Sequence, residues 1–247
     1  MSDTTSYPEF ADIETASEDY ARRFSGKVGE FFLDIQTKII LELLRPWPEA
    51  TILDVGGGHG QIALPLVQKG YRVTVAGSGP LARKRLDSLL LPASFKFLDC
   101  DLLDLPFEAR SFDIVVSFRL LPHMDEWQEL IGEMCRVADK AVIVDYPDIR
   151  SFNFFSEFLF KAKKAVEGNT RPFRCFSRSE VLEPFNKNQF NQPVFRPEFF
   201  VPMAIHRALK SRTFSGIVES VSRFVGLTHL WGAPIVLRVI RKSLTES

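Results

Sequence analysis

Residues 51–60 read Thr-Ile-Leu-Asp-Val-Gly-Gly-Gly-His-Gly, and Gln61 to Val67 behind them place apolar side chains at positions that suit a helix. A hydrophobic strand, a glycine turn and a helix therefore follow one another directly. Glycine lets the backbone take positive φ and approach a ligand closely. The helix after it points unpaired N–H groups at whatever lies over the turn.

The spacing decides what such a turn holds. A dinucleotide turn needs GxGxxG, but counted from Gly56 and Gly58 its third glycine falls on Gln61. A phosphate-binding Walker loop ends in Gly-Lys-Ser/Thr, which is absent here. What remains is Asp54-x-Gly56-x-Gly58-x-Gly60, which resembles motif I of the class I S-adenosylmethionine-dependent methyltransferases. The resemblance implies that Asp54, Gly56, Gly57, Gly58 and Gly60 cradle S-adenosylmethionine and release S-adenosylhomocysteine.

The likeness continues along roughly residues 20–147. Tyr71 to Ala76 reads as a second strand, and where the family ends it with a ribose-binding acid this chain has Gly77, which leaves the ribose to Ser78 or to backbone groups. Asp99 to Phe107 looks like the acidic stretch before Leu-Pro-Phe. Counting back from Pro106 assigns the adenine contact to Asp101, beside the Leu102 N–H. A carboxylate accepts from an exocyclic amine and not from a keto group, which selects adenine. Ser111 to Ser117 is the fourth strand, and Ser117, Phe118 and Arg119 stand at its carboxyl end, where open α/β sheets bind ligands. Arg119 is expected to meet the methionine carboxylate, an anionic substrate group or a local acid. His123 is a candidate general base, since imidazole titrates near neutral pH, or a backbone-bonded helix-start residue. Tyr146, at the end of the fifth strand, is a candidate catalytic residue at the mouth of the substrate site.

Upstream, Glu18 to Leu44 is helical by its threes and fours, with interruptions near Gly26 and Gly29 and a stop at Pro46 and Pro48. Tyr20 and Phe24 match a Tyr-xxx-Phe pair that in this family covers the cofactor, so Tyr20 is added to the cofactor set. Residues 1 to about 15 read as disordered or loosely attached.

Downstream the resemblance fades. Ser151 to Glu167 reads as a helix with phenylalanine on several faces, and residues 148–190 are expected to form a lid whose Phe152, Phe154, Phe155 and Phe158 wall an acceptor pocket. Ser179 to Asn186 is a short helix. Pro193 to Phe200 and Pro234 to Ile240 are the last two strands, separated by a helix or helix pair from Pro202 to Val225 that breaks near Ser215-Gly216.

Alternating strands and helices give an α/β, doubly wound, mostly parallel seven-stranded sheet. The expected segments are an N-terminal tail and cap helices (1–45), a cofactor-binding core (46–147), the lid (148–190) and the last part of the sheet (191–247). The resemblance implies strand order 3-2-1-4-5-7-6 with the seventh strand antiparallel.

Composition narrows the partners. Residues 1–150 hold 16 Lys/Arg against 24 Asp/Glu, and residues 151–247 hold 15 against 7 together with 14 of the 23 Phe, so the second half is basic and aromatic. Packing against the acidic half ranks first as the reason, a membrane surface lower, and nucleic acid last, because no long basic cluster is present. Cys100, Cys135 and Cys175 and the four histidines are scattered, which predicts free thiols and no metal. No apolar run nears the ~18 residues that span a bilayer and no signal peptide is apparent, so a cytoplasmic protein is expected.

The reading is a methyltransferase of a small, hydrophobic or aromatic acceptor at oxygen or carbon. Its rivals are a cofactor-binding protein that does not methylate and an interaction module built on the basic, Phe-rich half.

Overall fold

The computed structural model describes residues 11–151 and 174–242. Three helices precede the sheet: α1 (Ala11–Thr15), α2 (Glu18–Arg22) and α3 (Gly26–Leu44). The Ser17 side chain accepts from the Tyr20 N–H and starts α2, while Gly26, at φ 69°, separates α2 from α3. The strands are β1 (Thr51–Val55), β2 (Arg72–Gly77), β3 (Lys96–Asp99), β4 (Phe112–Ser117), β5 (Ala138–Tyr146), β6 (Phe190–Phe199) and β7 (Ala233–Arg241). Between them run α4 (Ala63–Gln68), α5 (Pro80–Leu89), α6 (Trp127–Val137), α7 (Arg178–Lys187), α8 (Met203–Leu209), α9 (Arg212–Phe224) and α10 (Leu227–Trp231).

The sheet order is β3-β2-β1-β4-β5-β7-β6, with β7 antiparallel to both β5 and β6, as the motifs implied. Alternate residues of a strand face opposite sides of a sheet, and both sides here are covered. Leu53, Val55, Val115, Val142 and Val144 pack with Trp127, Leu130 and Met134 of α6 and Phe185 of α7. On the other face Ile52, Ile114, Val116 and Ile143 pack with Ile40 and Leu43 of α3, Leu66 of α4 and Leu86 of α5. Strands buried on both faces account for the unbroken apolar runs of β4 and β5.

Three expectations are corrected. The chain is not loose as far as residue 15: Ala11 and Asp12 of α1 are buried. The helical stretch after β6 breaks at Lys210, a non-glycine residue at φ 51°, and not at Ser215-Gly216, which lies inside the continuous α9. A further short helix, α10, precedes β7. The Phe-rich stretch from Phe152 to Phe160 lies outside the described residues.

Strand pairing fixes where the last helices sit. Tyr146 at the carboxyl end of β5 pairs with Ile235, and Phe199 at the end of β6 pairs with Ala233. Residues 200–232 thus leave and rejoin the sheet at the carboxyl ends of the parallel strands, the edge at which such sheets bind ligands. They form a helical cap that the sequence reading had not placed there.

Candidate functional site

The site is built on the loop after β1. Gly56 and Gly60 adopt φ 73° and 72°, a left-handed conformation that side chains resist, and they flank a single turn at Gly57–His59. Gly56 N–H donates to the Ala76 carbonyl at 2.8 Å and ties the loop to β2. Asp54 lies beneath it, fully buried. A Cβ on Gly57 would fall 2.1 Å from the Asp54 carboxylate, so only glycine can cross over this acid. Burial pushes the Asp54 carboxyl up to about 7, with the Ala63 N–H as an opposing donor.

Gly58 also has a packing role. A Cβ there would meet Ala82 Cβ of α5 at 2.6 Å, so this glycine admits the close approach of a helix.

His59 is buried in the same turn. Its Nε2 lies 3.1 Å from the Phe118 carbonyl and its Nδ1 accepts from the Gln61 N–H at 3.1 Å, an arrangement that requires the neutral ring protonated on Nε2. Burial lowers its pKa to about 4, the Phe118 carbonyl opposing. The sequence reading had counted His59 only among scattered histidines; its position inside the glycine motif was the signal available.

At the end of β2, just after Gly77, a carboxylate arrives from elsewhere in the chain. The Asp12 carboxylate of α1 accepts from the Ser78 N–H at 2.8 Å and from the Ser78 hydroxyl through a very short contact. Burial raises the Asp12 pKa and the Ser78 hydrogen bonds oppose the rise. The same helix closes over the glycine loop: a Cβ on Gly56 would lie 3.4 Å from Asp12 Cβ, and one on Gly79 would lie 3.3 Å from Ile13 Cδ1. Ser78, the residue left for the ribose, is thus engaged by α1.

The other sequence-derived residues have these surroundings. Asp101 accepts from the Leu103 N–H at 2.8 Å, and Leu102 is buried. The Ser117 hydroxyl donates to the Val55 carbonyl at 2.9 Å, and Phe118 is buried. Arg119 takes φ 61°; its N–H donates to Asp145 at 2.6 Å, and its guanidinium pairs with Asp145 at 3.3 Å and Glu198 at 3.2 Å. Of the partners expected for Arg119, the local acids are the ones it meets. Burial would lower the Arg119 pKa, but Glu198 and Asp145 raise it. Burial also lifts both carboxyls against Arg119, Glu198 to about 7. Tyr20 of α2 packs at a tilt on Phe24 with ring centroids 5.8 Å apart, and Arg119 lies over the Phe24 ring at 5.4 Å, so α2 and its link to α3 close one side of this cluster.

His123 ends a short turn after β4 and is partly exposed. Tyr146 is enclosed, edge-on to Phe176 at 6.3 Å, and its phenol is raised by burial and by Asp148. Phe152, Phe155 and Phe158 lie outside the described residues.

A Ser-His-Glu line also occurs in the cap: His206 Nδ1 is 2.9 Å from Ser215 Oγ and Nε2 is 2.9 Å from Glu219, which also accepts from the Phe200 and Val201 N–H groups. All three are buried, beside Phe31, Phe32 and Phe199. With no face of Ser215 open, the arrangement braces the cap.

Comparison with known proteins agrees with the loop geometry. Residues 53–143 match the model of a family described as methyltransferase domain. Over those residues the chain is similar to that domain. It is 32% identical over 94 residues to a ubiquinone biosynthesis O-methyltransferase of Paramagnetospirillum magneticum, covering 36% of each chain. It is 25% identical over 165 residues to a ubiquinone/menaquinone biosynthesis C-methyltransferase of Rhizobium etli, covering 58% of this chain and 62% of the relative. The matches thus span between 36% and 62% of these relatives' lengths. The crystal structure of a SAM-dependent methyltransferase from Thermotoga maritima superposes with TM-score 0.63 at 18% identity, over 94% of this chain and 99% of that one, which extends the shared fold beyond the core.

Proposed function

We propose that this chain is an S-adenosylmethionine-dependent methyltransferase that acts on a small, hydrophobic or aromatic acceptor at oxygen or carbon. The observation that carries the reading is the Gly56–Gly60 loop set over buried Asp54 at the carboxyl end of β1, inside the segment that matches the methyltransferase domain. The acceptor class is supported by the names of the two curated relatives, both of quinone biosynthesis, one an O- and one a C-methyltransferase.

The residues present fit the cofactor by their chemistry. The left-handed glycines let the chain turn tightly with no side chains in the way, Ser78 supplies a hydroxyl after β2, and Asp101 with the Leu102 N–H offers the acceptor and donor that adenine needs. In the described conformation α1 stands on Gly56 and Ser78, so cofactor entry requires this helix to give way. When bound, S-adenosylmethionine supplies a methyl group activated on a sulfonium. The chain's part is alignment and exclusion of water, and alignment alone supplies several kcal/mol. His123, partly exposed at the turn after β4, is better placed than enclosed Tyr146 to take a proton from an acceptor hydroxyl. The cap of residues 200–232, at the carboxyl edge of the sheet, is the cover on the acceptor side.

A second reading, cofactor binding without methyl transfer, is favoured by Gly77 in place of the acid and by Asp12 on Ser78. Calorimetry with S-adenosylhomocysteine and a methyl-transfer assay on hydroxylated aromatics and quinols separate the two. Binding with transfer is expected. Binding without transfer selects the second reading, and no binding overturns both.

A further inference from the structure

Helix α9 is inverted. Ser215, Glu219 and Ser222, at i, i+4 and i+7, are buried, whereas Phe214, Ile217, Val221 and Phe224, at i, i+3, i+7 and i+10, form one stripe that faces out. Phe224 is 92% exposed and Ile217 59%. A helix in a water-facing cap ordinarily does the reverse. The polar side is held inward by the Ser215-His206-Glu219 hydrogen bonds and by the two backbone N–H groups on Glu219. The apolar side is therefore fixed outward and cannot be hidden by rolling the helix. The flanking helices extend it with exposed Ile205 and Leu209 of α8 and Leu230 and Trp231 of α10. A contiguous apolar face of this kind marks an interaction site.

Charge selects the occupant. Residues 202–232 contain Arg207, Lys210, Arg212 and Arg223 and a single acid, Glu219, which is buried. Arg212 pairs with Asp34 and Glu30 of α3, neutralising the acids beside it, and Arg207, Lys210 and Arg223 remain as exposed positive charge around the stripe. A second copy placed by a two-fold axis would set like charges against each other. An anionic lipid surface would accept the apolar stripe between its headgroups and the basic residues against them. Among the described residues no helix is long and apolar enough to cross a membrane, so the contact would be interfacial.

We propose that α8, α9 and α10 form a docking face for an anionic lipid bilayer, with Phe214, Ile217, Val221 and Phe224 inserted at the headgroup boundary. The cap leaves the carboxyl end of β6 and enters the amino end of antiparallel β7, both at the ligand-binding edge of the sheet, so docking turns that edge toward the lipid. The proposal stands whether or not the site transfers methyl groups.

The test is flotation of the full-length protein with phosphatidylcholine vesicles and with mixed phosphatidylcholine/phosphatidylglycerol vesicles. It is paired with the double variant Phe214→Ser/Phe224→Ser and the charge variant Arg207→Gln/Lys210→Gln, with melting temperature and solution mass measured for each. Wild type is expected to float with the anionic vesicles and to lose that binding as salt rises. The double variant should lose at least tenfold in partitioning with its melting temperature kept, since its side chains are exposed, and the charge variant should lose part. No binding by wild type, binding unchanged in the double variant, or a wild-type dimer that the double variant converts to monomer without any lipid effect would each overturn the proposal.

Discussion

The Asp12 carboxylate takes both hydrogen-bond donors of Ser78, its N–H and its hydroxyl, at the end of the strand where a ribose would be held. Because those donors serve only one partner at a time, α1 would compete with a ribose placed on Ser78. Asp12→Ala removes the competing contact and should tighten S-adenosylhomocysteine binding about five- to tenfold, in line with ~1 kcal/mol for a hydrogen bond exchanged. Titration calorimetry reads this directly. Weaker binding in the variant would instead make Asp12 itself a ribose partner.

Gly58 separates a packing role from a binding role. The Gly58→Val side chain would run into Ala82 Cβ at 2.6 Å and Ala82 Cα at 2.8 Å. Overpacking of this kind costs about 1 to 3 kcal/mol. The melting temperature should therefore drop. Ala82→Gly introduced into a Gly58→Ala background should recover part of the loss. If the single variant melts like wild type and fails only in cofactor binding, the loop faces the ligand at Gly58 after all.

Two buried groups in the motif titrate in opposite directions. Asp54 goes from an ordinary 3.8 to about 7 in the folded protein, so between those values the folded state keeps a proton the unfolded chain has lost. Stability from this group falls as pH rises through that window, by up to ~1.4 kcal/mol per unit. His59 goes from 6.5 to about 4, so its share falls as pH drops through that interval. The two slopes offset each other in wild type. Asp54→Asn removes one, and its stability relative to wild type should rise between about pH 4 and 7 and level off above. Denaturant midpoints measured across that range check it, and a difference independent of pH would refute the assignment.

Arg119 balances two enclosed carboxylates. Arg119→Met strands Asp145 and Glu198 without a cation, and breaking a buried pair of this kind costs about 3 to 5 kcal/mol. The triple variant with Asp145→Asn and Glu198→Gln should regain much of that. Chemical denaturation of the three proteins tests the claim; equal stability of wild type and Arg119→Met would leave the side chain free for a ligand.

The sheet was legible because strands covered on both sides must be apolar throughout, which made Ile114 to Val116 and Ala141 to Val144 stand out, and because Asp54 and its glycines carry a recognisable spacing. The contacts that cross long stretches of chain were not. Nothing in residues 1–15 announces that Asp12 will meet Ser78, since that meeting is set by tertiary packing and not by local pattern. The inward side of helix α9 was illegible for a related reason. Its periodicity identifies a helix with an apolar side, but which side turns inward depends on His206, on a different helix.

His59 leaves one last consequence. Its ring spans the loop after β1 and the chain leaving β4, the two neighbouring strands at which the sheet order reverses. A planar imidazole bonded at both nitrogens is a spacer of fixed length, so the aperture between these two loops is gauged by a rigid part. Adjustment to guests of different size then falls to the pieces hung on the frame, α1 on one side and the cap on the other, and the frame itself keeps one width.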